Sequence, residues 1–244
     1  MFPLRDHNPT EIVPLFTVLI GLITAGAWML VQGGGAYEPL VASICALGVV
    51  PSDLTGQASA AVDPICSVGS IGLPTLVTSI FLHGGWGHLI GNLWFLWVFG
   101  NNIEDSMGHV RFLAFYLLTG VTAAVAQILL DPSSTVPMVG ASGAISGIMG
   151  AYIVLYPHAR VDTLVGFWIV ELPAWGMLGY WLVLQLSGVF VVATPGGGVA
   201  YGAHLGGFLA GLLLIPLFRN PKLVQAKRSG IVLPPDQIDH RGWW

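Results

Sequence analysis

The sequence predicts an all-α polytopic membrane protein, a bundle of six spanning helices, and three observations carry that expectation. Hydrophobic residues make up 55% of the 244 and charged residues only 8%, against about a quarter charged in soluble domains, and mean hydropathy is +0.78. Six apolar runs each come near the roughly 20 residues that cross a bilayer. All eight Lys and Arg fall where a single orientation puts them on one side, as cytoplasmic loops require.

The elements follow in order. Residues 1–11 are a short cytoplasmic segment, and the first span runs from about Ile12 to Val31. A cleaved signal peptide ending near Thr24-Ala25-Gly26-Ala27 is the competing reading. Asp6 and Glu11 against the single Arg5 weigh against it, as does an apolar run longer than the roughly 7 to 15 residues of a signal core. An outer loop covers about 32–87, with Gly33-Gly34-Gly35 at its start and a Gly/Ala/Ser/Pro mixture through 51–72. It holds both cysteines, Cys45 and Cys66, on the non-cytoplasmic side where disulfides persist. They are either bridged or packed as two apolar thiols.

Spans two, three and four cover about His88 to Met107, Phe112 to Leu130 and Ala141 to Tyr156. After Pro157, the apolar stretch Thr163 to Val170 is expected as an interfacial segment, and Glu171 as a boundary before Pro173. Proline suits the first turn of a helix and acids suit its N-terminus, so span five is expected from Pro173 to Ala193. A buried proton-relay role for Glu171 is the alternative, but no second intramembrane acid accompanies it. Span six runs from Tyr201 to Phe218, closing a membrane domain of 12–218, and 219–244, polar and with Pro234-Pro235, reads as a solvated, disordered cytoplasmic tail.

The charges orient this arrangement. Arg5 precedes span one, Arg111 lies between spans two and three, Arg160 between four and five, and Arg219, Lys222, Lys227, Arg228 and Arg241 follow span six. The segments assigned outside, about 32–87, 131–140 and 194–200, hold none. Any odd number of spans would split the pattern, so both termini are expected in the cytoplasm, with a bacterial inner membrane as the setting.

Spans two, four and six then all run from outside to inside. His88 opens span two with Asn92 one turn deeper, Ser142 opens span four and His204 opens span six, so four polar groups share the outer leaflet. His88 and Asn92, four apart, share a helical face, and a serine at a helix N-terminus has unpaired backbone N–H groups beside it. Acyl transfer needs a nucleophile, a base and oxyanion donors. Ser142, His204 and the pair His88 and Asn92 supply one each. The outer halves of the spans hold no Asp or Glu, so a dyad is expected and not a triad, with the histidine tautomer set by packing or by another hydrogen bond. A packing role competes with this chemistry, since Gly143 and Gly147, like Gly207 and Gly211, have the spacing that lets membrane helices approach closely. The glycines serve both readings by bringing spans four and six together. No nucleotide loop, metal-ligand cluster or nucleic-acid signature is present, and no cofactor is expected.

These residues resemble the rhomboid family of intramembrane serine proteases. The resemblance covers roughly 75–218 and is carried by His83-Gly84-Gly85-Trp86-Gly87-His88-Leu89-Ile90-Gly91-Asn92, by Gly140-Ala141-Ser142-Gly143, by His204 with Gly207 and Gly211, and by Glu104, Asp105, Gly108, Arg111, Phe112 and Leu113. It implies Ser142 as nucleophile, His204 as general base, His88 and Asn92 as oxyanion donors, and His83 in a supporting, loop-structuring role. It also implies transmembrane proteins as substrates, cut at small residues after local unwinding and entering beside span five. Ser146 departs from the family, whose well-studied bacterial members carry there an aromatic residue packed against the catalytic histidine. Ser146 faces the same side as Ser142, either hydrogen-bonding in the site or packing helices. A rhomboid-like protein that binds transmembrane helices without cutting them is the alternative function, and a transporter the more remote one, although the latter would more often carry intramembrane acids.

Overall fold

The computed structural model describes residues 1–57, 66, 70–191 and 198–228, and it is mostly helical with one small sheet. In chain order the elements are β1 (Phe2–Asp6), α1 (Leu15–Leu30), α2 (Tyr37–Leu47), α3 (Pro51–Thr55), α4 (Thr75–Thr78), α5 (Trp86–Met107), α6 (His109–Leu130), α7 (Ser142–Leu155), β2 (Arg160–Val165), β3 (Trp168–Pro173), α8 (Ala174–Val191), α9 (Tyr201–Phe218) and α10 (Pro221–Arg228). By length and hydropathy, α6 and α9 can each cross a bilayer, with mean hydropathies of 2.0 and 1.6. Outward-facing stripes such as Leu209, Leu213 and Leu217 on α9, and Leu118, Val125 and Leu129 on α6, are exposed. Water would penalise so continuous an apolar surface, whereas lipid would not.

Backbone proximity organises the centre. A Cβ on Gly207 would collide with the Gly143 carbonyl, and one on Gly211 with the Gly147 carbonyl, so α7 and α9 meet main chain to main chain. Ile145, Ile148, Met149 and Tyr152 of α7, with Phe208 and Ile215 of α9, fill the adjoining core. Gly211→Ala is therefore expected to lower the thermal stability of the protein in detergent by about 1–3 kcal/mol, the usual cost of overpacking, despite alanine's better helix propensity. Gly26→Ala on α1, where an added Cβ meets nothing within 4 Å, should be neutral or mildly stabilising. Equal unfolding temperatures for the two variants would rule out the close approach.

The opposite ends of these helices carry the charges. Glu104, fully buried near the end of α5, accepts hydrogen bonds from the Phe16 and Thr17 backbone N–H groups, both at 2.8 Å, and from the Thr17 hydroxyl at 2.7 Å. A carboxylate from one helix thus satisfies orphan donors in the first turn of another. Asp105 accepts from the Glu11 and Ile12 N–H groups at 3.1 and 3.0 Å. It also pairs with Lys227 at 2.8 Å, so α10 is fastened beneath α5. Asp6 accepts from the Tyr152 hydroxyl at 2.7 Å and the Asn102 amide at 2.6 Å. Burial pushes its carboxyl up to about 6, against the lowering effect of the Tyr152 bond and the Lys227 charge.

The structure departs from expectation at the sheet, at Glu171 and at the start of the tail. The bundle is not all-α: β1, β2 and β3 form an antiparallel sheet in that order. Thr163 to Val170, the expected interfacial segment, is folded as the turn end of the β2–β3 hairpin, with Asp162 opposite Glu171 beside it. The run is rich in β-branched and aromatic residues that favour strands. Val161 and Thr163, two apart, are both buried. Gly166, at φ +60°, leads a two-residue loop of the kind hairpins prefer. Glu171 lies on β3 and bonds to Arg160 at 2.9 Å with both side chains largely exposed, which leaves no buried relay. The tail also begins in order, because Pro221–Arg228 is helical and the Asn220 N–H donates to the Ser106 carbonyl at 2.8 Å. Residues 229–244 of the expected tail, the last residues of the expected span five and half of the 51–72 loop lie outside the described residues.

Candidate active site

The N-terminal ends of α5, α7 and α9 converge at the end of the bundle opposite the acidic and basic cluster. Ser142 is the first residue of α7 and His204 lies in the first turn of α9. The glycine seam between the two helices brings their side chains together, with His204 Nε2 2.8 Å from Ser142 Oγ. His204 Nδ1 lies 2.7 Å from Gln185 Oε1 on α8. The Trp181 ring, one turn earlier on α8, is 6.0 Å from the imidazole and tilted by 36°. Tyr201 approaches edge-on at 6.5 Å.

Hydrogen-bond directionality fixes His88. The Gly84 backbone N–H can only donate, and it points at His88 Nδ1 from 3.3 Å, so in the neutral ring the proton sits on Nε2. That edge faces Gly140. A Cβ on Gly140 would lie 2.7 Å from His88 Nε2 and 3.5 Å from Ser142 Oγ, and Gly140 also has φ +132°, so only glycine fits between the two side chains. Asn92, one turn along α5, is buried, and its Nδ2 finds no acceptor among the described residues. His88, Asn92, Gly140, Ser142, Trp181 and His204 line one cavity of about 640 Å³. Apart from the two imidazoles, its described lining holds no acidic or basic side chain.

The supporting residues divide. His83 is fully buried and its backbone is clamped by Gln32, whose amide donates to the His83 carbonyl at 2.8 Å and accepts from the His83 N–H at 2.9 Å. Its ring stands edge-on to His88 at 4.9 Å, and burial, with the neighbouring His88, pushes it down to about 3, so it stays neutral and buttresses His88. Ser146 does not reach His204; its hydroxyl donates to the Ser142 carbonyl at 2.6 Å, one turn back along α7. Cys45 and Cys66 are joined in a disulfide. The segment following α2 reaches the site through paired Val49 and Met138 backbones, and the Gly140 N–H donates to the Ser79 carbonyl at 2.9 Å. These bonds hold the extended approach to Ser142.

Gln185 and Trp181 are the site residues that motif spacing does not point to. Gln185 did carry one sign: a carboxamide within an apolar span is costly enough to need a partner.

A family model described as Rhomboid domain matches residues 72–221. RHOMBOID-like protein 5 of Arabidopsis thaliana is 33% identical over 160 residues, covering 61% of this chain and 48% of that protein. Rhomboid protease GluP of Bacillus subtilis is 33% identical over 149 residues, 60% of this chain and 26% of that one. Rhomboid protein 1, mitochondrial, of Saccharomyces cerevisiae is 28% identical over 150 residues, 57% and 40% respectively. The matches thus span half or less of the length of these curated relatives.

Proposed function

The chain belongs to the rhomboid family, an integral membrane family, and from that premise we propose that it is an intramembrane serine endopeptidase that cleaves other membrane proteins in or near their transmembrane segments. What carries the reading is the 2.8 Å contact of Ser142 Oγ with His204 Nε2, inside a cavity that also presents His88 and Asn92. His204 accepts the Ser142 hydroxyl proton as Oγ attacks the scissile carbonyl carbon. The oxygen of the tetrahedral intermediate accepts from His88 Nε2–H, from Asn92 Nδ2–H and from backbone N–H groups at the start of α7. As the C–N bond breaks, the imidazolium returns its proton to the departing amine. Water, with His204 again as base, then releases the acyl group. A substrate helix must unwind locally first, because its hydrogen-bonded carbonyls are hidden from attack. Purified protein in detergent should cut a fluorescently labelled model transmembrane segment bearing Gly and Ala near its outer end, releasing two fragments of complementary mass. An intact segment would count against proteolysis and for the helix-binding alternative.

The same reading has six spans, α1, α5, α6, α7, α8 and α9, with the active site toward the outer leaflet and both termini in the cytoplasm of a bacterial plasma membrane. The basic side chains support this sidedness. Arg5 and Arg160 lie on the paired strands β1 and β2, Lys227 sits beneath the end of α5, and Arg219 follows the end of α9, all away from Ser142. A cytoplasm-active reporter fused after Arg219 should work and one inserted within 51–64 should fail, with the converse for a periplasm-active reporter. The opposite pattern would invert the site.

A further inference from the structure

Resting on the protease reading, we propose that Gln185 is a positioning residue that makes the Ser142 and His204 pair a three-membered relay, held in place from α8. The inference follows from two one-way hydrogen bonds, which fix the direction of a third. Gln185 Nε2 lies 3.4 Å from the Trp181 carbonyl, the residue one turn back, and a carbonyl can only accept. The amide is thereby oriented with its oxygen toward His204. That oxygen, 2.7 Å from His204 Nδ1, can also only accept, so Nδ1 must carry the proton. A neutral imidazole has one N–H, and the lone pair is left on Nε2, facing the Ser142 hydroxyl at 2.8 Å. This is the tautomer a general base requires.

The carboxamide takes the place a carboxylate occupies in soluble triads, and the setting accounts for the exchange. Gln185 is buried in an apolar span, where an ionised acid would be costly unless paired, whereas a neutral amide oxygen orients the ring without that penalty. Trp181 supplies the second half of the device. With serine at 146, α7 places no aromatic ring against the histidine, and the Trp181 indole of α8 lies over both His204 and Phe208, each at 6.0 Å. The bond to Nδ1 and the indole contact both come from α8, so the tautomer of the base depends on the seat of that helix.

The test compares Gln185→Met, which keeps length and removes the acceptor, with Gln185→Glu, which keeps an oxygen in the same position. Measured are kcat and KM on the labelled transmembrane segment, the rate at which a fluorophosphonate probe modifies Ser142, and thermal stability in detergent. Gln185→Met should lower kcat and the labelling rate about tenfold, less than the roughly 10²- to 10⁴-fold that a general base itself contributes because His204 stays in place, and leave KM within about twofold. Gln185→Glu should recover most of both rates. Wild-type rates in Gln185→Met would overturn the relay and leave the two-residue mechanism standing. Losses equal in both variants and in step with unfolding would reduce Gln185 to packing, and a rise in KM alone would make it a substrate contact; either overturns the proposal. Undiminished cleavage by Ser142→Ala, or wild-type protein that neither cuts nor labels, would instead overturn the protease reading and the relay with it.

Discussion

Exchanging Ser142 for alanine should abolish cleavage of a transmembrane substrate while leaving the fold and its stability in detergent unchanged. The side chain lost is a single hydroxyl whose partner is His204 Nε2 at 2.8 Å, and the packing of α7 against α9 rests on Gly143 and Gly147, not on the serine. His204→Ala should be as severe, since a serine hydroxyl is a poor nucleophile until a base accepts its proton. In soluble serine proteases either loss alone costs on the order of 10⁶ in kcat, and removing both costs little more. The double variant should accordingly be no slower than the singles. Labelling by a fluorophosphonate, which reports the nucleophile without a substrate helix, should disappear in both singles. Normal turnover by Ser142→Ala would remove the serine mechanism outright.

Much of this arrangement is legible in the sequence because membrane spans announce themselves through length and apolarity. Tyr201–Phe218 coincides with the expected sixth span, and α6 and α7 differ from theirs by a few residues at the ends. That Ser142, His204, His88 and Asn92 share one end of the bundle follows once the helices and their alternating direction are known, because each polar residue sits at a fixed place in its run. The sheet was not legible for the opposite reason. β1 is five residues long, and its partner β2 lies more than 150 positions away, with Phe2 opposite Leu164. Nothing local marks such pairing. The β2–β3 hairpin is legible only as an apolar run, and apolarity without a clear period does not separate strand from helix. Glu104 and Asp105 were visible as a family-like segment, but their work, receiving the start of α1, is tertiary.

Asn92→Ala should cost about 10² to 10³ in kcat, the usual loss of one oxyanion donor, with far less change in KM. The expectation follows from where the unpaired donors point. Asn92 Nδ2 is buried with no acceptor among the described residues, a state that ordinarily costs about 1–3 kcal/mol. An acceptor that exists only in the tetrahedral intermediate would turn that unmet bond into differential stabilisation of the transition state. Removing the amide therefore takes away nothing the resting protein uses, and the variant should be as stable as the parent or slightly more so. His88→Ala differs in one respect, because His88 also receives the Gly84 N–H at 3.3 Å and packs on His83, so some stability should go with its activity. The double variant should lose less than the product of the single losses, since both donors and the backbone N–H groups of α7 converge on one oxygen. Wild-type kcat in Asn92→Ala, or a loss that tracks unfolding, would return Asn92 to helix packing and leave His88 and the backbone as the donors, without touching the case for Ser142 and His204.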